Sequence, residues 1–271
     1  MSTIVSTEDK SSGLEYKVLT KGAPEVIKKY LKQVPTNYDK AYLKYVKNGA
    51  RVLALAYKIL PKASPDTYVT IKRDEAETDL IFCGFIISEC PLKADTKRVI
   101  NELKESNHMV KMITGDNQLT AAYIGKELKF GPTQNSLFAY ATTENEITWK
   151  DIDEVFVKKT QSASEVAALA AGYMLCINGD ALDTISQNKE ISKIVKEIHI
   201  FSRTSPNQKD FIVGMINKEG HITMMCGDGT NDVGSLKRAN IGLAIVNNKD
   251  PSKEDKTKRK TMSMWIKPAE L

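Results

Sequence analysis

The stretch MMCGDGTNDVGSLKRANIGLAIV, Met224–Val246, decides how this chain is read. It opens on an apolar run, and then Gly227–Gly234 holds three glycines, two aspartates and an asparagine in eight residues. A helical pattern follows in NDVGSLKRAN, and a second apolar run, IGLAIV, closes it. Strand, glycine turn, helix and strand in that order make one βα unit of a parallel sheet. Such a unit sets its turn at the carboxyl edge of the sheet, where open α/β sheets bind ligands. Asp228 and Asp232 flank the turn, and hard oxygen donors held this way suit Mg²⁺, which takes one or two carboxylates beside phosphate oxygens. Gly227 and Gly229 let the backbone bend and approach a phosphate closely. A plain turn with an N-cap is the bland reading of a bare Gly-Asp-Gly; the full Gly227–Val233 string argues against it.

Upstream, the same rhythm recurs from Leu80. LIFCGFIISE, MVKMITGD, YMLCING and HIFSRTS read as strands, each followed by a helical pattern. The fold class is therefore α/β, a Rossmann-like parallel sheet spanning residues 80–246. Residues 131–170 interrupt the rhythm and read as an insertion with a hairpin or helix of its own. Residues 1–79 follow a different pattern of strand, turn, helix and strand, which marks part of an α+β domain. After Val246 the chain turns polar and lysine-rich, so residues 247–271 are expected to be a disordered basic tail.

With 271 residues the chain has room for two modest domains, and its formal charge of +5 is mild. The basic runs lack interleaved aromatics, so a solvated face is preferred over a nucleic-acid surface. Cys83, Cys90, Cys176 and Cys226 lie far apart without C-x-x-C spacing, which fits reduced thiols better than disulfides or zinc. MSTIVSTEDK lacks a leader pattern, and no apolar run approaches the roughly 20 residues a bilayer crossing needs. A soluble region facing the cytosol is the expectation.

Four motifs carry a resemblance. TGDN (Thr114–Asn117) and GDGTNDV (Gly227–Val233) resemble the phosphorylation domain of P-type ATPases, within the haloacid-dehalogenase superfamily. KGAPE (Lys21–Glu25) and ARVLALAYK (Ala50–Lys58) resemble the nucleotide-binding domain of the same family. VPTNYDKAY, CPLKADT and FSRTSPNQKDFIV are most similar to the type V branch. Within it they favour the type VA, endoplasmic-reticulum subgroup over the type VB endolysosomal exporters.

The resemblance implies a role for each matching position. ATP would be bound at Lys21 and Gly22, with Arg51 reaching its phosphates as a fork of donors. Thr114, Gly115 and Asp116 would hold the transferring phosphoryl group, helped by the helix that follows. Lys209 would neutralise its oxygens. Asp228 would bind Mg²⁺ together with Asp232, Asn231 would support them, and Asp232 would pair with Lys209. Each residue also has an ordinary reading as an exposed cation or a helix cap.

One part is missing from this chain. The family's nucleophile is an aspartate opening a D-K-T-G-T string, and no such string occurs between Met1 and Leu271. ADT at Ala94–Thr96 and LDT at Leu182–Thr184 lack its context. The expectation is a piece of a larger pump, inactive alone. Its partners would be the rest of that pump: the nucleophile segment, an actuator domain and transmembrane helices. The parent would sit in an internal membrane with this region in the cytosol, and membrane association would run through the parent alone. The strands ending in Asp116 and Asp228 would be left with unpaired edges, because the missing strand belongs between them. A non-catalytic nucleotide- or Mg²⁺-binding fragment, or a soluble phosphatase of the same superfamily, are the alternatives.

Overall fold

A run such as RVLALAYKI could be buried on both faces, but the structure buries only every second residue of it. Val52, Ala54 and Ala56 are inside, while Arg51 and Leu53 are exposed. The computed structural model describes residues 1–9, 13–61, 63, 65–89, 91–133, 135–245 and 262–266. It is a mixed α/β chain in two units, Met1–Pro91 with Arg259–Leu271, and Leu92–Lys258. Among the described residues no helix is long and apolar enough to cross a membrane.

In the first unit β1 (Ser2–Asp9), β2 (Gly13–Gly22), β3 (Arg51–Ile59) and β4 (Ile81–Glu89) form an antiparallel sheet in chain order. Helices α1 (Pro24–Ile27), α2 (Tyr38–Val46), α3 (Pro65–Val69) and α4 (Arg73–Ala76) fill the connections. Gly84, at φ 141°, permits a bulge in which Cys83 is the extra residue. The bulge turns Phe82 and Phe85 to the same side, where their rings pack 5.0 and 4.9 Å from that of the fully buried Tyr38. The opposite face stays open, with Leu19, Leu53, Ile59 and Ile81 exposed.

This pairing corrects the domain boundary expected at residue 80. LIFCGFIISE was assigned to the second domain, but its strand β4 is laddered to β3, and the units divide after Pro91. A strand's sequence shows that it is a strand and leaves its partner open.

The second unit contains α5 (Thr96–Glu105), β5 (Met112–Ile113), α6 (Gln118–Glu127), β6 (Ser136–Thr143), β7 (Glu146–Lys150), β8 (Val157–Thr160) and α7 (Ala163–Ala170). It continues with β9 (Met174–Asn178), α8 (Gly179–Ile185), α9 (Ile191–Glu197), β10 (Ile200–Ser202) and α10 (Pro206–Lys218). β11 (Met224–Gly227), α11 (Val233–Arg238) and β12 (Ile241–Ala244) complete it. The main sheet runs β5-β10-β9-β6-β7-β8; its first four strands are parallel, and β7 and β8 turn antiparallel. Its core is built on Leu175, Ile177, Leu182, Ile198, Phe201 and Trp149.

Two expectations change here. Residues 131–170 do carry a hairpin and a helix, but they extend the main sheet: β6 lies parallel to β9, and Ile147 and Trp149 of β7 are core residues. The parallel strands also do not form one sheet. Among the described residues β11 and β12 pair only with each other, in parallel, and Met224, Ile241 and Leu243 stay exposed.

The tail departs from the expected disorder at one place. Met262–Ile266 is a strand, β13, antiparallel to the outer edge of β4. The other residues of the basic tail, and Cys90, lie outside the described residues.

Candidate functional site

Two groups of candidate residues fall in different units. In the first, Lys21 and Gly22 end β2, and the Lys21 backbone is bracketed by bonds to Met1 in both directions. Gly22 abuts α1 so closely that an added Cβ would stand 3.0 Å from Ile27. On the open face of the sheet is a cavity of about 310 Å³, lined by Val5, Leu19, Lys21, Leu55 and Cys83 among others. It is an apolar cleft with a cation at its rim, and burial raises the Cys83 thiol pKa. Arg51 does not line it. Lys21 pairs with Leu55 and Arg51 with Ser88, so four residues of β3, about 13 Å at a strand's rise, separate the two positions.

In the second unit, Thr114 follows β5. Its N–H donates to the Phe201 carbonyl (2.8 Å), and its own carbonyl accepts both the N–H (3.2 Å) and the hydroxyl (3.0 Å) of Thr204. The Thr114 hydroxyl oxygen accepts the Asp116 N–H at 3.1 Å, leaving its proton for another acceptor. The Asp116 carbonyl accepts the Arg203 N–H at 3.1 Å. Of the two residues that could cap α6, Asn117 does so, through the Leu119 N–H at 2.9 Å. Gly115 is exposed, and a Cβ on it would meet nothing within 4 Å.

The loop after β11 is fixed by one carboxylate. Asp232, 7% exposed, accepts the Lys209 ammonium at 2.7 Å and the Gly229 N–H at 3.3 Å. Its carboxylate lies against Gly227, where an added Cβ would come within 2.7 Å of it, so only glycine fits there. Lys209 stands in the first turn of α10, whose start is held by a Ser205–Gln208 capping box behind Pro206. The segment Arg203–Lys209 thus touches both candidate loops, the first through Arg203 and Thr204 and the second through Lys209.

Asp228 and Asn231 are exposed, and Asp228 has no hydrogen-bond or ion-pair partner among the described residues. Asn231 instead lines a polar cavity of about 560 Å³ between α10 and α11, beside the two-pronged Arg238–Asp210 pair. The donor set narrows the metal expectation. Asp232 is committed to Lys209, so Asp228 is the carboxylate left for a cation. No cluster of three His, Cys, Asp or Glu exists among the described residues. Such a site fits Mg²⁺ held by one carboxylate and completed by water and phosphate oxygens, rather than a closed protein cage.

Sequence reasoning placed nucleotide binding at Lys21 but missed the apolar lining of the cleft beside it, and it missed Thr204. The alternation Leu19–Lys21, opposite Tyr57 and Leu55 of β3, was the available signal for the cleft. Nothing local announces that Thr204 anchors a loop ninety residues upstream.

Residues 1–95 match the family model for the cytoplasmic domain N of P-type ATPases. The chain belongs to the P-type ATPases. It is 38% identical over 275 residues to a probable manganese-transporting ATPase of Arabidopsis thaliana, covering 99% of this chain and 23% of that one. With the endoplasmic reticulum transmembrane helix translocase of Schizosaccharomyces pombe it shares 41% over 234 residues, 85% of this chain and 19% of the other. With the probable cation-transporting ATPase 13A5 of Homo sapiens the figures are 30% over 249 residues, 85% and 20%. The chain spans about a fifth of the length of the curated P-type ATPases it matches.

Proposed function

We propose that this chain is the ATP-handling part of a type V P-type ATPase of the endoplasmic reticulum, exposed to the cytosol and coupling ATP hydrolysis to transport. In this reading the first unit binds the nucleotide, with the adenine in the apolar cleft and Lys21 at its rim. Arg51 reaches toward phosphate from further along β3. The second unit is a haloacid-dehalogenase-like phosphorylation domain. Thr114, Gly115 and Asp116 receive the phosphoryl group, Lys209 balances its charge, and Asp228 holds Mg²⁺. When bound, the metal draws charge from the phosphoryl oxygens. Asp232 holds Lys209 in place and Asn231 steadies the turn.

The observation that carries the reading is that one segment, Arg203–Lys209, fastens both loops. The sheet edges support the missing part. Among the described residues β5 pairs only with β10, and β11 only with β12. Each therefore offers a free edge to an additional parallel strand, the place for a D-K-T-G-T strand from the remainder of the pump. That remainder would also supply the actuator domain and the membrane helices. Higher identity to the helix translocase than to ATPase 13A5 supports the type VA assignment.

The test is incubation with γ-labelled MgATP. MgATP should perturb the amides of Lys21, Gly22, Gly115 and Asp228 without forming an acid-stable, hydroxylamine-sensitive adduct. The adduct should form once the chain is part of a longer polypeptide carrying the D-K-T-G-T string. An adduct on the chain alone, or no amide response to MgATP, overturns the proposal.

A further inference from the structure

We infer that Thr204 is a positioning residue that aims the Gly115 N–H at the incoming phosphoryl oxygen; this rests on the phosphate reading given above. In a regular strand, successive N–H groups point to opposite sides. At the end of β10 that alternation fails. Arg203 takes a left-handed conformation (φ 50°), and the N–H groups of both Arg203 and Thr204 point at the Thr114–Asp116 loop. A non-glycine residue held there stores strain, and such strain collects where a loop must be aimed.

The hydroxyl of Thr204 then adds a second bond to a carbonyl its own N–H already reaches, so both lone pairs of the Thr114 oxygen are engaged. A trans peptide is planar, with its C=O and N–H pointing in opposite directions. Locking the Thr114 oxygen toward Thr204 therefore drives the Gly115 N–H away from β10. That N–H has no partner among the described residues, and the space beside Gly115 is open. Among the described residues β5 has no strand on its other side, so in its sheet this peptide plane is set from the β10 side. Thr204 is 8% exposed, so its hydroxyl has little access to water as a competing partner.

The experiment uses the full 271-residue chain with Thr204→Val, which keeps the shape and loses the hydroxyl, and Thr204→Ser, which keeps the hydroxyl. Two readouts are taken: the Gly115 amide resonance without ligand, and titration with Mg²⁺ and orthovanadate followed at Gly115. We expect Thr204→Val to move the Gly115 resonance and weaken orthovanadate binding about fivefold, the scale of one hydrogen bond. Thr204→Ser should stay within about twofold of the parent. Equal behaviour of all three proteins overturns the inference, and so does equal damage in both variants, which would assign the effect to side-chain packing at this position and not to the hydroxyl. If orthovanadate fails to bind the parent chain, the phosphate reading falls, while the unliganded Gly115 resonance still decides whether Thr204 sets the peptide plane.

Discussion

β9 and β11 are short apolar strands of the same unit, each followed by a helix and each paired in parallel, yet their surroundings are opposite. Met174, Leu175, Cys176 and Ile177 have no exposed surface, whereas Met224 is 57% exposed and Leu243, across from Cys226 on β12, is 52% exposed. The difference lies in neighbours. β9 has β10 on one side and β6 on the other, with α6, α8 and α9 packed against the sheet. β11 has β12 alone. An apolar sequence provides the tendency to be buried; burial itself requires a strand on each edge and a layer on each face.

The sharpest way to break this comparison is to apply one substitution to both regions. Leu175→Ala should cost about 3 kcal/mol, because a fully buried leucine leaves a cavity that the close-packed core cannot refill. That is a large fraction of a typical folding stability of about 10 kcal/mol, and a denaturant midpoint will report it. A loss under about 1 kcal/mol would mean that the β9 side is as loosely held as the β11 side.

A smaller effect separates the regions by pH. The Leu175 N–H donates to Nδ1 of His199 at 3.1 Å. Burial, and then the charges of Lys111 and Lys104, lower the His199 pKa from 6.5 to about 4. A neutral His199 is thus favoured in the folded state, and its contribution is complete above about pH 6.5. As pH falls from there toward 4, the unfolded chain takes up the proton first and stability drops, on the order of 2 kcal/mol. His199→Asn keeps an acceptor for Leu175 and removes the titration. It should flatten the pH dependence of the β6–β10 core while leaving amide exchange in β11 and β12 unchanged. A wild-type profile as flat as that of the variant would refute the assignment.

These contrasts show where the sequence was legible. The parallel strands β5, β9, β10, β11 and β12 were placed by their apolar runs, and the turn at Gly227 by its glycine and aspartate spacing, because both signals are local; β6 was not, since its residues read as an insertion. The partner of β4 was not legible: a bulge at Gly84 and the aromatic packing of Tyr38 on Phe82 and Phe85 are settled only in three dimensions. The Lys209–Asp232 bond could be anticipated from motif position. The bonds from Thr204 to Thr114 could not, since they depend on a left-handed residue that no residue type announces. The exposure of β11 and β12 runs against their apolar sequence, and among the described residues no further strand covers them.

The smallest effect is therefore the most telling. Leu243→Ala, the same chemical change as at position 175, should alter the stability of this chain by no more than about 0.5 kcal/mol, as for an ordinary surface site. The reason is geometric: a side chain half in water surrenders little transfer energy and leaves no cavity. In a longer polypeptide whose added strand fills the edge of β11, that sheet gains the second neighbour it lacks here. Leu243→Ala should then become several-fold more costly, while the cost of Leu175→Ala stays the same. If the longer protein tolerates Leu243→Ala as easily as this chain does, the exposed pair is a finished surface and no strand belongs beside it.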